Sequence, residues 1–588
     1  MARRERQERE IRERRRPRKR KRRLNPKAVL VLAGILLVLA VCLFIGGRML
    51  YERYSPSKEM ADLNEYFQLT DDQDMAVILN DEILEDKARL IDGRVYLNVE
   101  TVYQYLDERY YWDAAENLYL YALPTELVSV GVGSSEYTVA RSTQSVDYVI
   151  LRVDGSNAYV AADFLKNYTN FTYEFWEEPN RVYIVNEFGT RDVVTAQTNA
   201  PVRYKAGIKS PILTNVEKGT VLYKLEEPEE IDEWTRVLTP DGYIGYIRDG
   251  KISGVTQTTI EEPEFEEPEY TSIAKDYKIN LSWHQVTNQD ANGQLLNRIA
   301  NTKGLTTISP TWFSIADTDG NISSLASQEY VNYAHQQGLE VWALVDNFTE
   351  GVSTYETLSR TSSRQRLVNQ LIAAAIQYGL DGINVDFEMI TEDCARAYIE
   401  FIRELSIMCR INGIVLSVDN YVPTASSDHY SRDEQGVFAD YVIIMGYDEH
   451  YAGSEEAGSV ASYSFVENGI QKTLEEVPAE KVINAVPFYT RFWKTDADGT
   501  VTSEALGMDS ADERLANNGA EAVWDEETRQ YYAEFEYEGS TYQIWLEEER
   551  SIEEKMGLIR EYNLAGVASW RLGYERSTIW DVILRYVN

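Results

Sequence analysis

The stretch Asp381-Gly382-Ile383-Asn384-Val385-Asp386-Phe387-Glu388 holds the residues best suited to chemistry. Read as a β-strand, its side chains alternate: Ile383, Val385 and Phe387 point one way, Asn384, Asp386 and Glu388 the other. A parallel strand buried on both faces is apolar on both. Three polar groups on one such face need partners, because each left bare costs about 2–7 kcal/mol. A pair of carboxyls two residues apart on one strand face suits proton transfer. The structural alternative is a solvated face in a two-layer protein.

The elements around this stretch supply a position for it. From residue 275 onward, strand-like runs alternate with helical ones: YKINLSW, GLTTISP, LEVWALV, DGINVDFE, GIVLSVD, YVIIMGYD, KVINAVPF and LAGVASW. Eight strands with helices between them predict an α/β fold, a (β/α)₈ TIM barrel over residues 275–588. About 50 residues separate the seventh strand from the helix before the eighth, which predicts a small α+β insertion at about 494–545. Working residues of such barrels sit at the C-terminal strand ends. Those ends carry Trp283, Trp312, Asp346-Asn347, Asp386, Glu388, Asp419-Asn420-Tyr421, Met445, Tyr447, Asp448, Tyr489, Arg491 and Trp570. Carboxyls and aromatic faces converging on one mouth make a sugar-binding cleft.

The N-terminal half divides into smaller pieces. Residues 1–27 carry 15 Lys and Arg against 4 Glu, a net of +11, so the rest of the chain carries −49 of the total −38. The acidity excludes nucleic acid as partner of the large part, since phosphate contacts need Lys and Arg. An apolar run of residues 28–47 opens at Ala28 and closes at Gly47, long enough to span a bilayer. The basic flank on its N-terminal side predicts a single-pass anchor with a cytoplasmic N-terminus and everything after Arg48 outside. A cleaved signal peptide is the competing reading; no A-x-A site follows the run. Two copies of one pattern begin at Asp92-Gly93 and Asp154-Gly155, matching Trp112 to Trp176 and Tyr119 to Tyr183, and define a module over residues 72–190. Residues 197–253 read as short strands separated by Lys218-Gly219 and Pro240-Asp241-Gly242 turns. Residues 258–274, with EEPEFEEPEY, predict an extended acidic linker. Three cysteines and four scattered histidines give no disulfide framework and no metal-ligand spacing, so neither metal nor cofactor is expected.

Three resemblances follow from these motifs. The C-terminal half resembles glycoside hydrolase family 18, the chitinase and N-acetylglucosaminidase family. Asp381, Gly382, Asp386 and Glu388 match its D-G-x-D-x-D-x-E, Met445-Gly446-Tyr447-Asp448 matches M-x-Y-D, and Trp570 matches the tryptophan of strand 8. SPTWFSIADTDGNI and VPFYTRFW are similar to the branch containing spore-germination and cortex-lytic hydrolases of peptidoglycan. The repeat resembles the N-terminal domain of copper amine oxidases, with no copper implied, and residues 197–253 resemble a bacterial SH3-like barrel. The family resemblance implies substrate-assisted retaining hydrolysis of a glycan bearing N-acetylglucosamine. Glu388 would be general acid and base, Asp386 would hold the acetamido N–H, and Tyr447 its carbonyl. Asn384, Asp448, Met445, Trp570, Trp283, Trp312, Tyr489 and Arg491 would contact sugar, with Asp381 and Gly382 structural in the motif.

One position departs from the family pattern: Asn384 stands where relatives have Asp. The expectation is that its amide donates to Asp386 and that one fewer charge lowers the pKa of Asp386. Two further readings stay open from sequence alone. One is an envelope protein that binds wall glycan without turnover. The other is a chitinase acting on foreign chitin.

Overall fold

The computed structural model describes residues 25–227 and 231–587, so residues 1–24 of the basic tail and residues 228–230 lie outside the description. Contacts divide the described residues into two compact units, one of residues 25–72, 76–84, 174–227 and 231–262, the other of 73–75, 85–173 and 263–587.

The first unit contains the helix Pro26–Tyr54, which Asn25 opens by accepting from the Lys27 N–H at 3.2 Å. The stretch Lys27–Tyr54 is long and apolar enough to cross a membrane, by length and composition alone. Seven strands form an antiparallel sheet that begins at Gly189–Thr195 and ends at Thr256–Ile260, these two pairing with each other. Val194, Val202, Leu222, Val237 and Ile247 form its core. The sheet thus outruns the expected 197–253 at both ends.

In the second unit, eight parallel strands close into a barrel. They are β1 (Ile279–His284), β2 (Thr307–Ile315), β3 (Glu340–Asp346), β4 (Gly382–Asp386), β5 (Val415–Tyr421), β6 (Tyr441–Met445), β7 (Val482–Pro487) and β8 (Gly566–Trp570). Each pairs with the next, and β8 returns to β1 with Gly566 beside Ile279. Leu281, Trp342, Leu344, Val415, Ile443 and Ile483 fill the interior, while Ile383, Val385, Leu416 and Val418 face the surrounding helices. Burying side chains of this size contributes about 1.5–3 kcal/mol each, and strands apolar on both faces can satisfy themselves only in such a closed, helix-wrapped sheet. Gly382 is required inside: a Cβ there would stand 2.6 Å from the Trp342 ring.

Helix α1 (Thr361–Tyr378) leads into β4 and stops at Gly379, whose φ of 69° few residues with a Cβ adopt. Its N-terminus has no cap from its own neighbour Arg360. Asp113 supplies it instead, accepting from the N–H and hydroxyl of Thr361 at 2.7 and 2.6 Å. Helix α2 (Ala395–Asn412) is tied instead by a shared carboxylate. Arg109 and the buried Arg403 both donate to Glu434 at 2.9 Å, and the Arg109 guanidinium lies over the Tyr270 ring. Asp113 and Arg109 belong to the first repeat copy, which is a strand (Arg94–Asn98), a helix (Val99–Tyr105) and a hairpin (Tyr110–Asp113 and Leu118–Ala122).

Both repeat copies contribute strands to one seven-stranded sheet, from Asp74–Leu79 to Arg181–Val185, while residues 85–173 group with the barrel, whose helices their hairpin caps and pairs. Two boundary expectations are corrected. The acidic stretch 258–274 is not an extended linker throughout. Its start is a sheet strand, the Tyr270 ring packs on Phe438, and Asp440 accepts from the Ile273 N–H at 2.6 Å. The insertion after β7 begins at Tyr489 rather than near 494. It is a five-stranded sheet ending at Leu546, with the helix Met508–Asn518 within it.

Candidate active site

At the C-terminal mouth of the barrel, a cavity of about 200 Å³ is lined by Trp283, Phe348, Asp386, Glu388, Asp419, Tyr421, Met445, Tyr447, Asp448, Tyr489 and Trp570. The barrel explains each position. Alternation along β4 turns Asn384 and Asp386 inward, and Glu388 follows just past the strand at the rim. Asn347 fixes the backbone there, accepting from the Glu388 N–H at 3.0 Å and donating to its carbonyl at 2.9 Å. Asp448 sits past β6 with φ of 60° and accepts from the Tyr489 hydroxyl. Trp570 ends β8 with its ring 5.9 Å from that of Trp283, tilted by 56°.

The carboxyls are crowded and shielded from water. Burial raises the pKa of Glu388; the Tyr421 hydroxyl, donating to Oε2 at 2.6 Å, pulls it back, and Asp448 and Asp346 raise it further. Asp386 is held well above the ordinary carboxylate range, first by burial and then by the charges of Asp419, Glu388 and Asp346. Its Oδ1 is buried without a hydrogen-bond partner. Burial also pushes Tyr447 well above its ordinary value, so that hydroxyl stays a donor at neutral pH. The arrangement offers a carboxyl of raised pKa at the rim, a second carboxyl deeper at the end of β4, a phenol opposite, and two indole rings.

Asn384 behaves differently from expectation. Its side chain is fully buried and does not donate to Asp386. The indole N–H of Trp283, which can only donate, reaches Asn384 Oδ1 at 2.9 Å, and the Ser309 hydroxyl joins it at 3.2 Å. That orientation leaves Nδ2 to donate to Ser417 Oγ at 3.0 Å and Asp419 Oδ1 at 2.8 Å. Asp419 supplies from β5 a negative neighbour that, after burial, raises the pKa of Asp386.

Among the expected sugar contacts, Trp283, Met445, Asp448, Tyr489 and Trp570 line the cavity. Trp312 does not. β2 runs on through it, and since Ser309 faces inward, Trp312 faces out, where its Nε1 donates to Asn292 at 2.8 Å and its ring meets Tyr330. Arg491 lies outside the cavity lining on the insertion strand Tyr489–Thr495, where it donates to Ser503 at 3.2 Å. Asp381 is at the opposite end of the barrel, accepting from the Val341 N–H and paired with His335, both at 2.8 Å. Asp419 and Tyr421, named among the strand ends but given no role, also line the cavity, as does Phe348, which the sequence did not mark. Alternation from Ser417 was the available signal for Asp419.

Residues 281–575 match the family described as glycosyl hydrolases family 18, half of the chain, and the chain belongs to that family. It is a glycoside hydrolase. Among its relatives is the uncharacterized glycosylase YvbX of Bacillus subtilis, 26% identical over 282 residues, covering 45% of this chain and 80% of that one. The cortical fragment-lytic enzyme of Bacillus subtilis is 26% identical over 240 residues, with 39% of this chain and 55% of that enzyme covered. The spore cortex-lytic enzyme SleL of Bacillus megaterium, a solved structure, is 20% identical with a TM-score of 0.48, covering 58% of this chain and 77% of that one.

Proposed function

We propose that this glycoside hydrolase cleaves a β-linked glycan containing N-acetylglucosamine by substrate-assisted retaining catalysis. The observation that carries the reading is the placement of Asp386 at the end of β4 and Glu388 just past it, in one cavity with Tyr447, Asp448 and two indoles. A retaining glycosidase of the ordinary kind needs an ionised second carboxylate as nucleophile. Asp386, buried and held protonated, is a poor one. The substrate's own acetamido oxygen fills that place. Glu388, its pKa raised by burial, gives its proton to the leaving oxygen. Asp386 accepts the acetamido N–H and aims its carbonyl oxygen at C1, while Tyr447 donates to that oxygen as charge develops. Glu388, now a carboxylate, takes a proton from the water that opens the oxazolinium intermediate. Trp570 and Trp283 form an aromatic floor, and Asp448, held by Tyr489, binds the distorted sugar with Met445 beside it. No cofactor enters this scheme.

The substrate we infer is peptidoglycan. The named activity of the cortical fragment-lytic relative and an N-terminal helix able to span a bilayer both favour a wall polymer over foreign chitin. In this reading residues 28–47 anchor the protein, residues 1–27 stay in the cytoplasm, and the barrel works outside at the wall. The repeat and the seven-stranded sheet, similar to amine-oxidase N-terminal and SH3-like modules, would present it to the wall.

The test compares wild type with Glu388→Gln on purified peptidoglycan and on chitooligosaccharides, reading new reducing ends. Wild type should release them from peptidoglycan faster, and the variant from neither. Glycan binding with no release by wild type would mean a binding protein. Faster release from chitooligosaccharides would mean a chitinase.

A further inference from the structure

Asn384 removes from β4 a carboxyl that the family keeps beside Asp386, yet the pocket still holds one there. It arrives from the neighbouring strand. Val385 lies beside Val418 in the register of β4 and β5, so Asp386 and Asp419 occupy the next step of the two strands, and the inward alternation that aims Asn384 at Ser417 carries both carboxyls to the same side. Asp419 is buried, lines the cavity, and its Oδ1 is held by the Asn384 amide at 2.8 Å. The amide cannot turn round, because the Trp283 indole N–H occupies its oxygen side. Asp386 keeps one carboxyl oxygen buried and unpartnered, an atom that needs a proton or a donor.

We propose that Asp419 is the proton partner of Asp386: the two buried carboxyls share one proton, and Asn384 positions Asp419 for the exchange. The proposal rests on the hydrolase reading for its consequence in catalysis. Before substrate enters, the proton resides on Asp386. When the acetamido N–H arrives, the O–H bond at Asp386 breaks and one forms at Asp419. The pair keeps a net charge of −1 throughout. Asp386 is left as the full carboxylate that an amide N–H requires, and Asp419 becomes neutral. Asp419 acts through Asp386 and is therefore a positioning residue. The groups facing the pair are Asp346 from β3, Glu388 after β4, Tyr398 from α2, Tyr421 from β5, Tyr430 after it, Tyr447 and Asp448 after β6, and Tyr489 after β7. They are acids and phenols, so the pair is favoured to keep its proton at neutral pH, in line with the raised pKa of both members.

The experiment is an exchange of the two residues. kcat and KM on a chitooligosaccharide are measured across pH for wild type, Asp419→Asn, and the double variant Asn384→Asp with Asp419→Asn, each first checked for a wild-type thermal melt. Asp419→Asn should lower kcat about 100-fold with little change in KM and should shift the acid limb of the profile. The double variant returns one carboxyl to the pair from β4 and should recover at least about tenfold of that loss. Wild-type kcat and pH profile in Asp419→Asn, or a folded double variant as slow as the single one, would overturn the proposal. An infrared titration needs no turnover. In difference spectra at neutral pH, wild type should show one protonated-carboxyl stretch more than Asp419→Asn, above the background of Glu388 and the buried glutamates, and the double variant should regain it. The same band in wild type and Asp419→Asn would overturn the proton sharing even if wild type hydrolyses glycan. A wild type that releases no reducing ends yet shows the predicted bands would sink the hydrolase reading alone.

Discussion

The hydroxyl of Tyr421 donates to Oε2 of Glu388 at 2.6 Å. This bond favours the ionised carboxylate, against burial, which favours the protonated acid. Two opposed effects of this kind set how long Glu388 keeps the proton it must deliver. Tyr421→Phe removes only the restraining one. The alkaline limb of kcat/KM should then move up by about 0.5–1 pH unit, with kcat at the optimum changed less than about tenfold. A pH series of initial rates reads this directly, and an alkaline limb that stays put would show that Glu388 does not set it.

Glu388→Gln should cost about 10²–10⁴ in kcat while leaving oligosaccharide binding within a fewfold of wild type. It also has a stability signature. Because the folded pKa of Glu388 is raised, the folded protein holds a proton that the unfolded chain would release. Stability from this group is present below the unfolded pKa and lost as pH rises through the folded one. Gln never ionises, so the variant should melt about 2 °C above wild type at pH 8 and level with it at pH 4. Calorimetry at the two pH values checks the sign.

Asp113→Ala uncaps α1. Loss of a capping acid costs about 0.5–2 kcal/mol, and here the Thr361 N–H and hydroxyl are left buried and unpaired, which favours the upper end. Chemical denaturation should show the loss, and Asp113→Asn, which can still accept, should recover most of it.

Gly382→Ala overpacks the barrel floor, since the new methyl meets the Trp342 ring at 2.6 Å and the Val415 carbonyl at 3.0 Å. A cost of about 1–3 kcal/mol is expected. Because Gly382 lies at the far end of β4 from the cavity, kcat well below the melting temperature should stay within a fewfold of wild type. A kcat loss with an unchanged melt would contradict this assignment.

What the chain disclosed by itself, and what it withheld, follows from the range of the interactions. The polar face of β4 was legible because alternation is local, and Gly379 and the Met445 to Asp448 motif mark their elements in the same way. The partners of Asn384 were not. Its amide is satisfied by Trp283, Ser309, Ser417 and Asp419, which lie on three other strands, so no spacing along 381–388 points to them. Trp312 was misplaced for a related reason. Pro310 looks like the end of a strand, yet β2 continues past it and alternation turns the indole away from the mouth. Tyr421 and Asp419 were visible as strand ends, but their contact with β4 depends on the register between strands. The partnership of Asp113 with Thr361 joins residues 248 positions apart and leaves no mark in either segment.

That last contact means the catalytic unit is discontinuous along the chain. Residues 85–173 and 263–587 group in one unit, while residues 174–262, which lie between them in sequence, belong to the other. Closing so long a loop costs little more than closing a short one, since the entropy grows only logarithmically with length, but the search for the contact is slow. A fragment beginning near residue 275 lacks Asp113 and Arg109, and should be less stable than the same barrel in the whole chain. Conversely, a single protease cut within the intervening segment would separate nothing: two pieces of chain would purify together as one active particle, held by Asp113, Arg109 and the helices they grip.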